Sequence, residues 1–154
     1  MNKLLIKLAA LAMAHLAAAM LVAAGRPASS VKRAINPPGT EEGLPFSNGI
    51  LAGNTLYVAG QEGLDNGKLR PGGIGAETQA ALENVKKIVE AAGLQMSDVV
   101  SVTVYLANIA EFGEMNKVYK TFFPAPRPAR ATVQVAALVG NARVEISAIA
   151  VKSR

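Results

Sequence analysis

From Val99 to Leu106 the side chains alternate: Val100, Val102, Val104 and Leu106 on one side, Ser101, Thr103 and Tyr105 on the other. Successive side chains of a β-strand point to opposite faces, so this spacing predicts a strand with one well-buried side. On both flanks the apolar period becomes helical. Upstream, Ala81, Val85, Ile88 and Ala92 recur at i, i+4, i+7 and i+11, with Leu82 and Val89 alongside, predicting a helix from about Ile74. Glu83, Lys86, Lys87 and Glu90 occupy its other face; Glu83 and Lys87 are spaced for an i,i+4 pair, and Gly93 supplies the terminating residue. Downstream, Asn108 and Glu111 resemble a capping box. Phe112, Met115, Tyr119 and Phe122 then repeat at i, i+3, i+7 and i+10, until the proline-rich stretch Pro124 to Pro128 stops the helix.

Further strands complete a sheet for these helices to cover. Ile50 to Ala59 predicts a hairpin turning at Gly53-Asn54. Residues 61–73, with Asp65-Asn66-Gly67 and Pro71-Gly72-Gly73, have loop chemistry, as does Asn36 to Phe46 with its three prolines. Arg130 to Val135 and Arg143 to Val151 predict two more strands, linked across Gly140-Asn141, and a short strand is expected near Val31 to Ile35. The expected fold class is α+β, a mixed sheet with two amphipathic helices on one face. Residues 36–154 form the domain, preceded over 25–35 by a polar linker and the short strand.

Residues 1–24 do not fit that pattern. Lys3 and Lys7 precede an apolar run from Leu8 to Ala24, interrupted only by His15, and Val22-Ala23-Ala24 places small residues just ahead of Gly25. This is the plan of a secretory signal peptide, and it implies a periplasmic or secreted protein with no stable membrane association once cleaved. An uncleaved anchor is the alternative; the run is about 17 residues and rich in Ala, at the lower limit for spanning a bilayer. His15 is the only histidine and there is no cysteine. A chain starting at Gly25 would therefore lack the imidazole of a Ser-His-Asp or Cys-His nucleophile and the ligands of a structural zinc site. Lys3 and Lys7 account for two of the 16 basic residues, leaving 14 against 11 acids, scattered rather than in a stripe. That is a solvated surface, not a nucleic-acid footprint.

Strand alternation also proposes where side chains point. In the strand from Arg130, Ala131, Val133 and Val135 form one set and Arg130, Thr132 and Gln134 the other. In the last strand Val144, Ile146, Ala148 and Ala150 are the apolar set, leaving Glu145 and Ser147 on the reverse. If the apolar sets face the helices, Arg130, Thr132 and Glu145 share the opposite side. Tyr105, Ile149 and Val151 fall on that side too, and a partner subunit is its natural cover. An Arg and a Glu on neighbouring strands also read as a cross-strand ion pair, worth little at a surface. By default Asn116 is a solvent-facing helix residue, and Gly72-Gly73-Ile74-Gly75, lacking a following Lys and Ser/Thr, is a loop rather than a phosphate cradle.

Four segments resemble the RidA/YjgF family: Pro45-Phe46-Ser47 through Ala59-Gly60-Gln61, Leu82-Glu83-Asn84-Val85 through Gly93-Leu94, Val102 to Phe123, and Arg127-Pro128-Ala129-Arg130-Ala131-Thr132-Val133 through Val144-Glu145-Ile146. The last is the family's signature region. The resemblance implies a chorismate-mutase-like domain forming a homotrimer, with helix-free sheet faces turned inward and active sites between subunits. It implies a cofactor-independent, metal-independent deaminase that hydrolyses 2-imino acids and their enamine tautomers, such as 2-iminopropanoate and 2-aminoacrylate, to 2-keto acids and ammonia. By the same resemblance Arg130 binds the substrate carboxylate and Glu145 activates water. Asn116 and main-chain groups around Thr132 shape the pocket, with Phe46, Gly60 and Gln61 by its wall. Thr132 stands where the family usually has Cys, and Phe46 where it usually has Tyr. The missing hydroxyl leaves a second reading open: a non-catalytic trimer of the same family that binds small carboxylates or acts as a chaperone. The endoribonuclease activity also attached to the family is poorly served by a chain without a histidine beyond residue 24 or a basic stripe.

Overall fold

The computed structural model describes residues 32–152. The expected signal peptide over 1–24, the cleavage point near Gly25 and linker residues 25–31 lie outside the described residues. Eight strands and two helices follow: β1 (Arg33–Ile35), β2 (Gly49–Ala52), β3 (Thr55–Glu62), β4 (Leu64–Asp65), β5 (Lys68–Leu69), α1 (Gly73–Ala91), β6 (Val99–Leu106), α2 (Phe112–Phe122), β7 (Ala129–Gln134) and β8 (Val144–Val151). Six strands form a sheet in the order β1-β2-β3-β8-β6-β7. Only β6 and β7 run parallel. A parallel neighbour requires a crossover, and α2 is that crossover. The last two predicted strands are therefore not neighbours: β8 inserts between β3 and β6, and β7 is left at the edge.

The core lies between one face of this sheet and the helices. Ala81, Val85 and Ile88 of α1 and Met115 and Tyr119 of α2 are buried together with Leu56, Val102, Val104, Leu106, Val144 and Ile146. Full burial of such a side chain contributes about 1.5–3 kcal/mol, which is what holds the layers together. Gly93 ends α1 as expected, at a φ of 79° that L side chains rarely adopt. Its N–H donates to the Glu90 carbonyl and that of Leu94 to the Val89 carbonyl, the paired closure of a Schellman motif.

Several local expectations are corrected. The alternation in β6 breaks at its start, where a register shift between Val99 and Ser101 buries Val99 and leaves Val100 exposed. A bulge inserts one residue and reverses the facing before it. Glu83 does not pair with Lys87. It accepts from Arg70, which also binds Asp65 at 2.6 Å, and this cluster ties the β5 end to α1. Arg70 lowers the pKa of both the Asp65 and the Glu83 carboxyl. Only half of the predicted capping box forms: the Asn108 side chain accepts from the Ala110 N–H, while Glu111 reaches Arg143 instead. Residues 61–73 are not wholly loop. β3 continues through Glu62, and β4 and β5 form a small hairpin turning at Asn66-Gly67, both with positive φ.

Candidate active site in two clefts

Three-dimensional placement divides the sequence-predicted residues into two groups. Arg130 and Thr132 lie on the helix side of β7, the reverse of the expected facing. Arg130 is in register with Val102 and Thr132 with Val104, both core residues, and paired residues of adjacent strands share a face. Ala131 and Val133 consequently turn to the helix-free face, where Val133 is 43% exposed. The apolar set of an edge strand need not face the helices. Beyond the helix-covered middle of the sheet, the long stem of Arg130 fills the space beneath α2.

Its guanidinium is held on three sides. Nη1 donates to the Asn116 side-chain oxygen at 2.9 Å. The Tyr119 ring lies beneath it with its centroid 4.3 Å away, and the Phe112 centroid is 5.6 Å away. Both distances are within the range of cation–π attraction. Burial pushes the Tyr119 phenol up, opposed by the Arg130 charge. The Tyr119 oxygen makes no hydrogen bond of ordinary geometry among the described residues, and neither does the buried Thr132 hydroxyl. Arg130, Asn116 and Tyr119 line a cleft of about 500 Å³ with Lys120, Arg127 and Pro128. Three cations and no acid make this a place for an anion.

Glu145 occupies the other group. It lies on the helix-free face of β8 and lines a cleft of about 460 Å³ with Phe46, Gly60, Gln61, Glu62 and Asn84. Its carboxylate rests on the Cα of Gly60; a Cβ added there would sit 1.9 Å from Oε1, so any other residue would displace the acid. Gln61 folds back on its own strand, donating to the carbonyls of Ala59 and Gly60. Phe46 is 55% exposed at the rim. The segment entering β8 is clamped: buried Glu77 of α1 accepts from the Arg143 N–H at 2.8 Å, and the Arg143 guanidinium reaches Glu111 at 2.5 Å.

The structure thus brings Arg130 together with Asn116 and Thr132, and Glu145 together with Phe46, Gly60 and Gln61. It does not bring the two sets together. Arg130 and Glu145 are on strands separated by β6 and on opposite faces, and the cross-strand ion pair is absent among the described residues. No three acids or histidines among the described residues gather so as to hold a metal ion. Sequence reasoning missed Tyr119 as the platform for Arg130, taking it only as core. It also missed Glu62, which the expected end of the hairpin at Ala59 placed in a loop. The helix-free face of the sheet is bare: Tyr57 is 51% exposed, and Tyr105, Ile149 and Val151 are half-buried.

Comparison with known proteins finds relatives over most of the described domain. The family model described as endoribonuclease L-PSP matches residues 40–152. A rat 2-iminobutanoate/2-iminopropanoate deaminase is 48% identical over 109 residues, covering 70% of this chain and 80% of the rat protein. The protein of the same name from the mite Dermatophagoides farinae is 44% identical over 125 residues, covering 79% of this chain and 98% of its own. Among solved structures, E. coli TdcF with bound serine superposes with a TM-score of 0.71 at 35% identity, covering 80% of this chain and 98% of TdcF.

Proposed function

This chain belongs to the RidA/YjgF family, that of the endoribonuclease L-PSP model, and from that premise we propose that it is a hydrolytic deaminase of 2-imino acids and their enamine tautomers, releasing 2-keto acids and ammonia. The observation that carries this reading is the division of charge. One cleft presents a guanidinium already braced by Asn116 and Tyr119; the other presents Glu145 over Gly60. A 2-imino acid has the matching halves, a carboxylate and an electrophilic carbon that water must attack.

Each role follows from chemistry. Arg130 holds the carboxylate with two parallel hydrogen bonds, a fit that a planar guanidinium offers and an ammonium does not. Glu145 takes a proton from water as it adds to C2. Free imines hydrolyse unaided, so positioning and one base suffice for a useful acceleration, each 1.4 kcal/mol or so giving tenfold. The reaction as drawn uses no cofactor or metal. The two clefts of one chain face away from each other, so we assign the working site to the boundary between subunits of a homotrimer. The helix-free faces turn inward, and Arg130 of one subunit completes the Glu145 cleft of the next. We also propose that residues 1–24 act as an export signal, placing the enzyme in the periplasm or outside the cell. Imino acids there would come from amino-acid oxidases or dehydrogenases.

The test is ammonia release from freshly generated 2-iminopropanoate, with the unassisted rate subtracted. Acceleration supports the deaminase. Binding of 2-keto acids without acceleration would support the non-catalytic reading, which the missing hydroxyl at Phe46 favours.

A further inference from the structure

The Glu145 cleft is lined by two further acids that the mechanism above leaves unused, Glu62 on β3 and the exposed Glu41 of the loop before β2. Glu62 follows Gly60 by two positions on β3, so it shares Gly60's face, and it is the register partner of Glu145 on β8. Directly opposed residues of an antiparallel pair hold their Cβ atoms about 5 Å apart. Both carboxyl groups line the same cleft. Glu145 is on β8 and the buried Glu77 on α1; the acid on α1 is already engaged by Arg143. Asn84, also on α1, donates to the backbone carbonyls of Glu62 and Leu64 rather than to the acid. Among the described residues no Lys or Arg forms an ion pair with Glu62. Two carboxyl groups so placed, without a counter-charge, resist losing both protons. Burial first, and then the charges of Glu145 and Glu77, push the Glu62 carboxyl up.

We propose that Glu62 is a further catalytic residue of the imine hydrolysis, the acid that delivers a proton to the substrate nitrogen while Glu145 removes one from water. This rests on the deaminase reading. As the water oxygen bonds to C2, its proton passes to Glu145 and the C=N π pair moves to nitrogen, which takes the proton of Glu62. The carbinolamine so formed then collapses. Glu145 returns its proton to the amino nitrogen, the C–N bond breaks with its pair leaving as ammonia, and the hydroxyl proton passes to Glu62 as the carbonyl forms. One water is consumed, one ammonia is released, and the pair ends with its proton on Glu62 as it began.

Glu62→Gln preserves size and polarity but cannot exchange the proton. With 2-iminopropanoate and the wild-type full chain as reference, kcat should fall at least tenfold with KM little changed, because the carboxylate contact to Arg130 is untouched. The pH profile of kcat/KM should lose its alkaline limb, where the wild type loses the proton of the pair, and keep its acid limb. Carboxyl ¹³C NMR of the substrate-free protein gives an independent reading. Glu62 should titrate above the ordinary carboxyl range and return towards it in Glu145→Gln. An active wild type whose Glu62→Gln variant keeps its kcat and its alkaline limb overturns this proposal alone, as does a Glu62 that titrates in the ordinary range. A wild type that gives no acceleration overturns the deaminase reading and this proposal with it.

Discussion

The two clefts hold their charged groups in opposite ways. Arg130 is braced before any ligand arrives, with a hydrogen bond to Asn116 on one side and the Tyr119 ring beneath. Glu145 forms no ion pair among the described residues and is positioned by shape, resting where Gly60 lacks a side chain. A group meant to bind gains from being fixed, since no rotamer freedom is lost when the ligand arrives. A group meant to accept a proton gains from the absence of a counter-charge, which would hold it ionised and weaken it as a base. The contrast separates a binding half from a reacting half, and substitutions in each half should fail differently.

The largest effect is expected at the binding half. Arg130→Ala should cut deaminase activity at least a hundredfold while fold and assembly persist, since losing a two-pronged charged contact costs a few kcal/mol. Arg130→Lys should recover only part of the loss. Turnover and melting temperature measured together decide the matter; a variant that keeps most of its activity per folded molecule would break the comparison. At the reacting half, Gly60→Ala should cost tenfold or more in kcat with little change in melting temperature. The added methyl lands on the Glu145 carboxylate at an exposed position, so it moves the base without disturbing the core. If Gly60→Ala raised KM instead, Glu145 would belong to binding.

A third substitution tests the support of β8 rather than its chemistry. Glu77→Ala removes the buried carboxylate that accepts from the Arg143 N–H, and losing a hydrogen bond to a charged group costs about 1–3 kcal/mol. Thermal melting should drop by roughly 4–12 °C for a domain of this size, with turnover per folded molecule within a few-fold of wild type. A normal melting temperature would show that the clamp carries no strength. The smallest effect is expected at Phe46→Tyr, which adds a hydroxyl at the exposed rim. Activity on 2-iminopropanoate should rise or stay unchanged, with stability unaffected. A large loss of stability would mean that residue 46 is buried in the assembly.

The helices and β6 are legible in the sequence because burial imposes a period. Ala81, Val85 and Ile88, like Val102, Val104 and Leu106, repeat at the spacing of the element that buries them. Alternation identifies two faces but not which one is covered. At the edge strand β7 the apolar Ala131 and Val133 face away from the helices while Arg130 sits under α2, so the inferred facing was reversed. Strand order is likewise silent in a local pattern: nothing near Val144 says that β8 will lie between β3 and β6. Glu62 was hidden by its neighbours, since Gly60 and Gly63 look like loop residues when the strand in fact runs on past a register shift. The contact between Asn116 and Arg130 joins residues 14 positions apart through tertiary packing, and only the family resemblance pointed to it.

The central claim is that the binding half and the reacting half come from different chains, and complementation tests it most directly. Arg130→Ala and Glu145→Gln proteins, each inactive alone, are unfolded, mixed in equal amounts and refolded together. If sites form between subunits, random mixing in a closed ring leaves about a quarter of them with an intact Arg130 and an intact Glu145, and activity should return to about that fraction of wild type. A mixture that assembles normally yet remains as inactive as its two components would contradict the account.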